Sequence, residues 1–282
     1  MAERLDSLMF PRTGSNSTLS LSILALAMAL EIAFALLAVF VLFPSGILKV
    51  FAAPTGGLIT ATLVANFISL AVVVGLVLCL IGGLRLSDLG LRGSDVPIAV
   101  VLTIGAWIGV DAIEAAWQAV ADGAVSWGGE WRGLGVTAVM GALLAQLFGN
   151  ALYEEILFRG VLLRQTYWRL ETTRLTNLQT LAIAIAISQS LFALIHLPIL
   201  LNGGLSPIAA FSRLPVIFVA GSAFAVLYAR SDNLMLCVGI HALANKPTLL
   251  VTDRFDLPDN LVFAVVMCLI LAALWGTKRV RR

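Results

Sequence analysis

The chain has 282 residues, 60% hydrophobic and 12% charged, with a mean hydropathy of +1.00. A soluble domain carries about a quarter charged residues, so this composition excludes one and requires an integral membrane protein. The formal net charge of +2 gives no reason to expect a nucleic-acid partner, because the split of charge between the two membrane faces matters more than its sum.

Residues 1–18 mix Glu3, Arg4, Asp6 and Arg12 with a Ser/Thr-rich stretch, which reads as a cytoplasmic tail rather than a cleaved signal peptide. Apolar runs then recur at about 19–43, 58–81, 98–120, 136–163, 180–201, 209–229, 234–251 and 261–275. Breakers such as "FPSG", "RLSDLGLRGSDVP" and "NGGLSP" separate them. The expected fold is therefore an all-α, polytopic bundle of about eight transmembrane helices, one membrane domain over 19–276 with a basic cytoplasmic tail at 277–282. An even count puts both termini on one face, and thirteen of the eighteen Lys and Arg residues fall there, which assigns that face to the cytoplasm. In the third run Gly105 and Gly109 have the spacing of small residues that allow close helix packing, expected here within the chain rather than at a dimer face. Cys79, Cys237 and Cys268 lie in apolar stretches and read as small core residues, not a disulfide framework.

Charge inside these runs costs free energy and so marks candidate chemistry. The fourth run contains "LYEEILFRG". Arg159 follows Glu155 by four residues and can pair with it on one helix face, whereas Glu154 points about 100° away and lacks a local cation. Glu154 is thus a general-base candidate, with Glu155 and Arg159 as its brace. The two histidines of the chain, His196 in "SLFALIHLP" and His241 in "VGIHALANKP", both lie in later apolar runs. Asn245 shares a helix face with His241, and Phe192 stands four residues before His196, placed to pack or shield it. Counting helical rise from the cytoplasmic ends puts Glu154, His196, His241 and Asn245 roughly 12 to 24 Å deep, so they could meet near mid-membrane. Gly160, Pro198 and Pro247 are placed to open the helices there. A carboxylate, two imidazoles and a carboxamide suit hydrolysis of a peptide bond: Glu154 as base, His196 positioning the water, and His241 with Asn245 as oxyanion donors. Asn245 is a poor zinc ligand but a good oxyanion donor, and no HExxH occurs.

Glu-Glu-x-x-x-Arg, Phe-x-x-x-His and His-x-x-x-Asn, in that order on successive apolar runs, resemble the CPBP family of CAAX proteases and bacteriocin-processing enzymes, also called type II CAAX prenyl endopeptidases. The resemblance covers about 136–251 and is met at Glu154, Glu155, Arg159, Phe192, His196, His241 and Asn245. It implies an intramembrane endopeptidase of a bacterial plasma membrane, with a peptide or lipidated protein as substrate and CAAX-type C-terminal processing as one form of its activity. No cofactor is expected. The zinc-dependent alternative takes Glu154, His196 and His241 as ligands and Glu155 as base.

Two readings from other classes stand beside it. Glu31 in the first run and Asp111 and Glu114 in the third are intramembrane acids of the kind that line ion paths, as in a transporter, although no inverted repeat is evident. For these three acids a water-facing or helix-end position is expected at least as strongly as a function. The other reading is a non-catalytic immunity or scaffold protein.

Overall fold

The computed structural model describes residues 10, 18–245, 248–252, 266–267, 269–270 and 273. Among them every regular element is helical, apart from one isolated bridge between Trp127 and Val251. Six helices are long and apolar enough to cross a membrane: α1 (Leu21–Ser45), α2 (Ala61–Ile81), α3 (Gly93–Ala121), α4 (Val136–Leu170), α5 (Asn177–Asn202) and α6 (Pro207–Ser231). The apolar α7 (Leu234–Asn245) has 12 residues and rises about 18 Å, less than the hydrocarbon thickness of about 30 Å. The expected seventh run is therefore helical only in its first part, and residues 248–252, at and just past its end, form a strap against α3, where Asp111 accepts the amides of Leu250 and Val251. The expected eighth run lies outside the described residues but for isolated positions, as do the tails, Pro247 and Cys268.

Local chemistry sets the helix starts. The side chains of Ser20, Thr60, Thr176 and Ser206 accept hydrogen bonds from the amides of Ile23, Leu63, Gln179 and Ala209, satisfying donors that would be orphaned in lipid. The membrane-facing sides keep large apolar residues at the surface, Val101, Ile104 and Ile108 of α3 among them. α5 is interrupted: one helix ends at Ile195, His196 is the joint, and Leu197–Asn202 starts afresh with Pro198 in its first turn.

α4 is the axis of the bundle, with every residue from Ile156 to Gln165 buried. α5 packs on α6 and on the second half of α4, and α7 packs on α3 and α4. Glycine makes the closest approaches possible. A Cβ at Gly160 would overlap the Leu89 carbonyl, one at Gly141 the Gly57 carbonyl, and one at Gly239 the Thr103 hydroxyl. Gly160 was expected to open the helix toward a wet cavity; it instead sits in the driest part of the core, because its missing side chain admits the 86–89 turn. The expected close packing at Gly105 and Gly109 is also not found: a Cβ on either would meet open space. Cys79 is half-buried and Cys237 buried, and both are free thiols.

Candidate active site

In α4 the residues Gln146–Asn150 and Ile156–Leu163 wind in wider π-type turns, with the single α-turn Ala151–Glu155 between them. Such widenings reorient side chains and occur often at functional sites. Here the α-turn presents Glu154 and Glu155 in different directions. Glu155 is fully buried and faces α7, while Glu154, 8% exposed, lies on the wall of a cavity.

Around Glu155 the charges are close-coupled. Its Oε1 is 3.1 Å from Arg159 Nη1, the pair expected from their four-residue spacing, and 2.7 Å from His241 Nδ1. Arg159, also fully buried, donates from Nη2 to the Gly221 carbonyl at 3.1 Å, and its guanidinium lies 4.3 Å from the Phe192 ring centroid and 5.5 Å from that of Phe224. Cation–π contact supplies part of what water would otherwise give this charge. The other imidazole nitrogen, His241 Nε2, is 3.5 Å from Glu154 Oε2, which accepts no hydrogen bond among the described residues. His241 thus bridges the two glutamates. Its ring stacks on Phe224 at 4.9 Å and 29°.

His196 occupies the joint of α5, where its Nδ1 meets the Phe192 carbonyl at 2.7 Å. A carbonyl only accepts, so Nδ1 carries the proton and Nε2 is the acceptor of the neutral ring. Phe192 stands between the imidazoles, 4.7 Å from the His196 ring and 6.2 Å from that of His241, a packing role as expected. A cavity of about 410 Å³ opens beside this cluster. Glu154, His196 and Asn245 line it, and α1 and α2 close its far side with mainly apolar residues such as Phe34, Val39 and Ile68. His241 is not among the described residues on its wall; it reaches the cavity only through Glu154.

Two polar groups at this cavity escaped the motif reading. Glu31 of α1, 5% exposed, accepts a hydrogen bond from the Tyr153 hydroxyl, so the residue before Glu154 is tied to α1. Gln146 accepts a hydrogen bond from Asn245 Nδ2 at 3.0 Å. The recurrence of Gln146, Asn150 and Glu154 at intervals of four was the legible signal for the second; for Glu31 it was an acid inside an apolar run. Of the three acids expected at a water-facing or helix-end position, Glu114 is the one that departs from it. Glu31 faces the cavity, Glu114 is buried and accepts from Gln118 Nε2 at 2.9 Å, and Asp111 accepts the amides of Leu250 and Val251 at 2.8 and 3.1 Å. All three satisfy groups that lipid could not.

Zinc ligation by Glu154, His196 and His241 would need the three donors to converge on one point. Among the described residues no three His, Cys, Asp or Glu side chains are grouped so as to hold a metal ion. As arranged, the donor set does not fit zinc.

Compared with known proteins, residues 114–246 match the model of the family described as type II CAAX prenyl endopeptidase Rce1-like. That stretch includes all seven motif residues and Gln146, and excludes α1 and α2. No curated protein and no solved structure matches the chain.

Proposed function

We propose, from the match of residues 114–246 to the type II CAAX prenyl endopeptidase Rce1-like family, that this chain is a member of that family and hydrolyses a peptide bond with a water activated by Glu154. It is an intramembrane protease of CAAX type, and a peptide or lipidated protein held at the membrane is its substrate. The observation that carries the mechanism is Glu154 on a cavity wall, its buried Oε2 without a hydrogen bond among the described residues and 3.5 Å from His241 Nε2.

The charges support this assignment. With both glutamates ionised, Arg159 positive and His241 doubly protonated, the four-group network sums to zero, as a buried cluster requires. Glu154 then removes a proton from water while His196 Nε2 accepts the other water hydrogen, and the water oxygen bonds to the substrate carbonyl carbon. The network gains one positive charge at the moment the carbonyl oxygen becomes negative, so the two offset each other in a low-dielectric site. Asn245 donates to that oxyanion. The C–N bond breaks as Glu154 returns its proton to the leaving nitrogen. His241 therefore takes a different role from the oxyanion donor expected of it: it holds and charge-balances Glu154. No step requires a metal ion.

Mass spectrometry of membranes holding wild type or Glu154→Gln tests the proposal and identifies the substrate together. A set of peptides truncated only with the wild type is expected. Identical peptide profiles, with both proteins folded and present in equal amounts, overturn it.

A further inference from the structure

We propose that Gln146 is a positioning residue of the oxyanion site, holding the Asn245 carboxamide with its NH₂ toward the reacting carbonyl. The inference rests on the oxyanion role given to Asn245 above. Gln146 lies outside the Glu154, Glu155 and Arg159 motif, but it opens the π-type turn of α4 two four-residue steps before Glu154, and both side chains line the same cavity. A stripe of this kind brings residues eight apart onto one helix face.

A carboxamide has two ends of nearly equal size and opposite electrostatic sense. Turned one way, Asn245 offers N–H to a developing negative oxygen; turned the other, it offers lone pairs that repel it. Asn245 sits at the exposed C-terminal end of α7, where packing does not choose between these orientations. The choice is made by Gln146. Its Oε1 accepts one Nδ2 hydrogen at 3.0 Å and is the only hydrogen-bond partner of the Asn245 side chain among the described residues. The second hydrogen remains for the cavity, on the same rigid plane. Fixing a donor before charge develops is what gives an oxyanion site its effect, since nothing then has to reorganise during the reaction. The bond also ties α4, which carries the base, to α7, which carries the donor.

The test measures cleavage of a prenylated CaaX peptide by the full chain in detergent. The proteins are wild type, Gln146→Met, Asn245→Ala and the double variant. Methionine keeps length and bulk but offers no comparable acceptor, and Gln146→Ala serves if that variant does not accumulate folded. Losing one orienting hydrogen bond while the donor itself remains is expected to lower kcat about tenfold, less than the roughly 10²- to 10³-fold that removal of the donor costs. KM should stay within about twofold, and the Gln146 effect should vanish in the Asn245→Ala background. Unchanged kcat in Gln146→Met, or the same fold loss with and without Asn245, overturns the inference and leaves the peptidase reading intact. A wild type that cleaves neither this peptide nor any peptide found by the membrane mass spectrometry, or an Asn245→Ala variant as active as wild type, removes the reading on which it rests and the inference with it.

Discussion

Replacing Arg159 with methionine should destabilise the protein strongly, and replacing Glu155 as well should return most of the loss. Arg159 and Glu155 are both fully buried, with Nη1 and Oε1 3.1 Å apart. Removing one partner of such a pair leaves an uncompensated charge where water cannot reach it, a cost of about 3 to 5 kcal/mol. The Gly221 carbonyl loses its donor too, and the Phe192 and Phe224 rings lose their cation. The His241 cation of the proposed network, 2.7 Å from Glu155, remains and offsets part of that charge, which sets the expectation at about 3 kcal/mol. For a chain of this size that is a fall of roughly 6 to 12 °C in Tm. Arg159→Met/Glu155→Gln leaves no unpaired charge, and its Tm should lie within about 4 °C of wild type. Differential scanning fluorimetry in detergent through the buried cysteine Cys237 reads wild type, Arg159→Met, Glu155→Gln and the double variant. Single-variant losses that simply add in the double variant would refute the coupling on which the site is built.

Gly160→Ala should cost about 1 to 3 kcal/mol, because the new methyl group meets the Leu89 carbonyl, whereas Gly105→Ala should change stability by less than about 0.5 kcal/mol; thermal unfolding of the pair checks both. Asp111→Ala leaves the amides of Leu250 and Val251 without their acceptor and should raise hydrogen exchange across 248–252 by about tenfold or more, read by mass spectrometry. Exhaustive chelation followed by zinc addition should leave peptidase activity unchanged, while loss and zinc-specific recovery would reverse the mechanism proposed above.

The membrane class and helical fold were legible because hydropathy records the solvent directly. Four-residue spacing was equally informative: it placed Arg159 with Glu155, and Phe192 beside His196. What it could not supply was the identity of groups brought in by other helices. Glu31 comes to the cavity on α1, and Gln146, although in register with Glu154 on α4, finds its partner Asn245 on α7; no local period encodes either contact. The glycines illustrate the same limit. Gly105 and Gly109 have the spacing of a packing motif, yet a Cβ on either would meet nothing among the described residues, whereas Gly160 and Gly239 have no such spacing and admit neighbouring groups where any side chain would collide. Spacing states which residues share a face; only tertiary structure states what that face meets. Asp111 holds the amides of Leu250 and Val251 and Glu114 accepts from Gln118, so these two acids tie the 248–252 strap and brace α3.

Adjacent glutamates at this depth look redundant until their directions are followed. One residue step along a helix rotates the side chain by about 100°, so a single Glu-Glu step can serve two environments at once. Glu155 turns into the core, where Arg159 and His241 Nδ1 fix it; Glu154 turns to the cavity, where its Oε2 has no hydrogen bond among the described residues. His241 spans the gap, with one nitrogen for each carboxylate. A lone buried glutamate would avoid its charge by holding a proton and could not act as a base. Joined through one imidazole to a second carboxylate already balanced by arginine, Glu154 can be ionised without leaving net charge in the membrane. In the mechanism proposed above, the costly neighbours of Glu154 are thus what make a base available beside a cavity of about 410 Å³ in an otherwise apolar bundle.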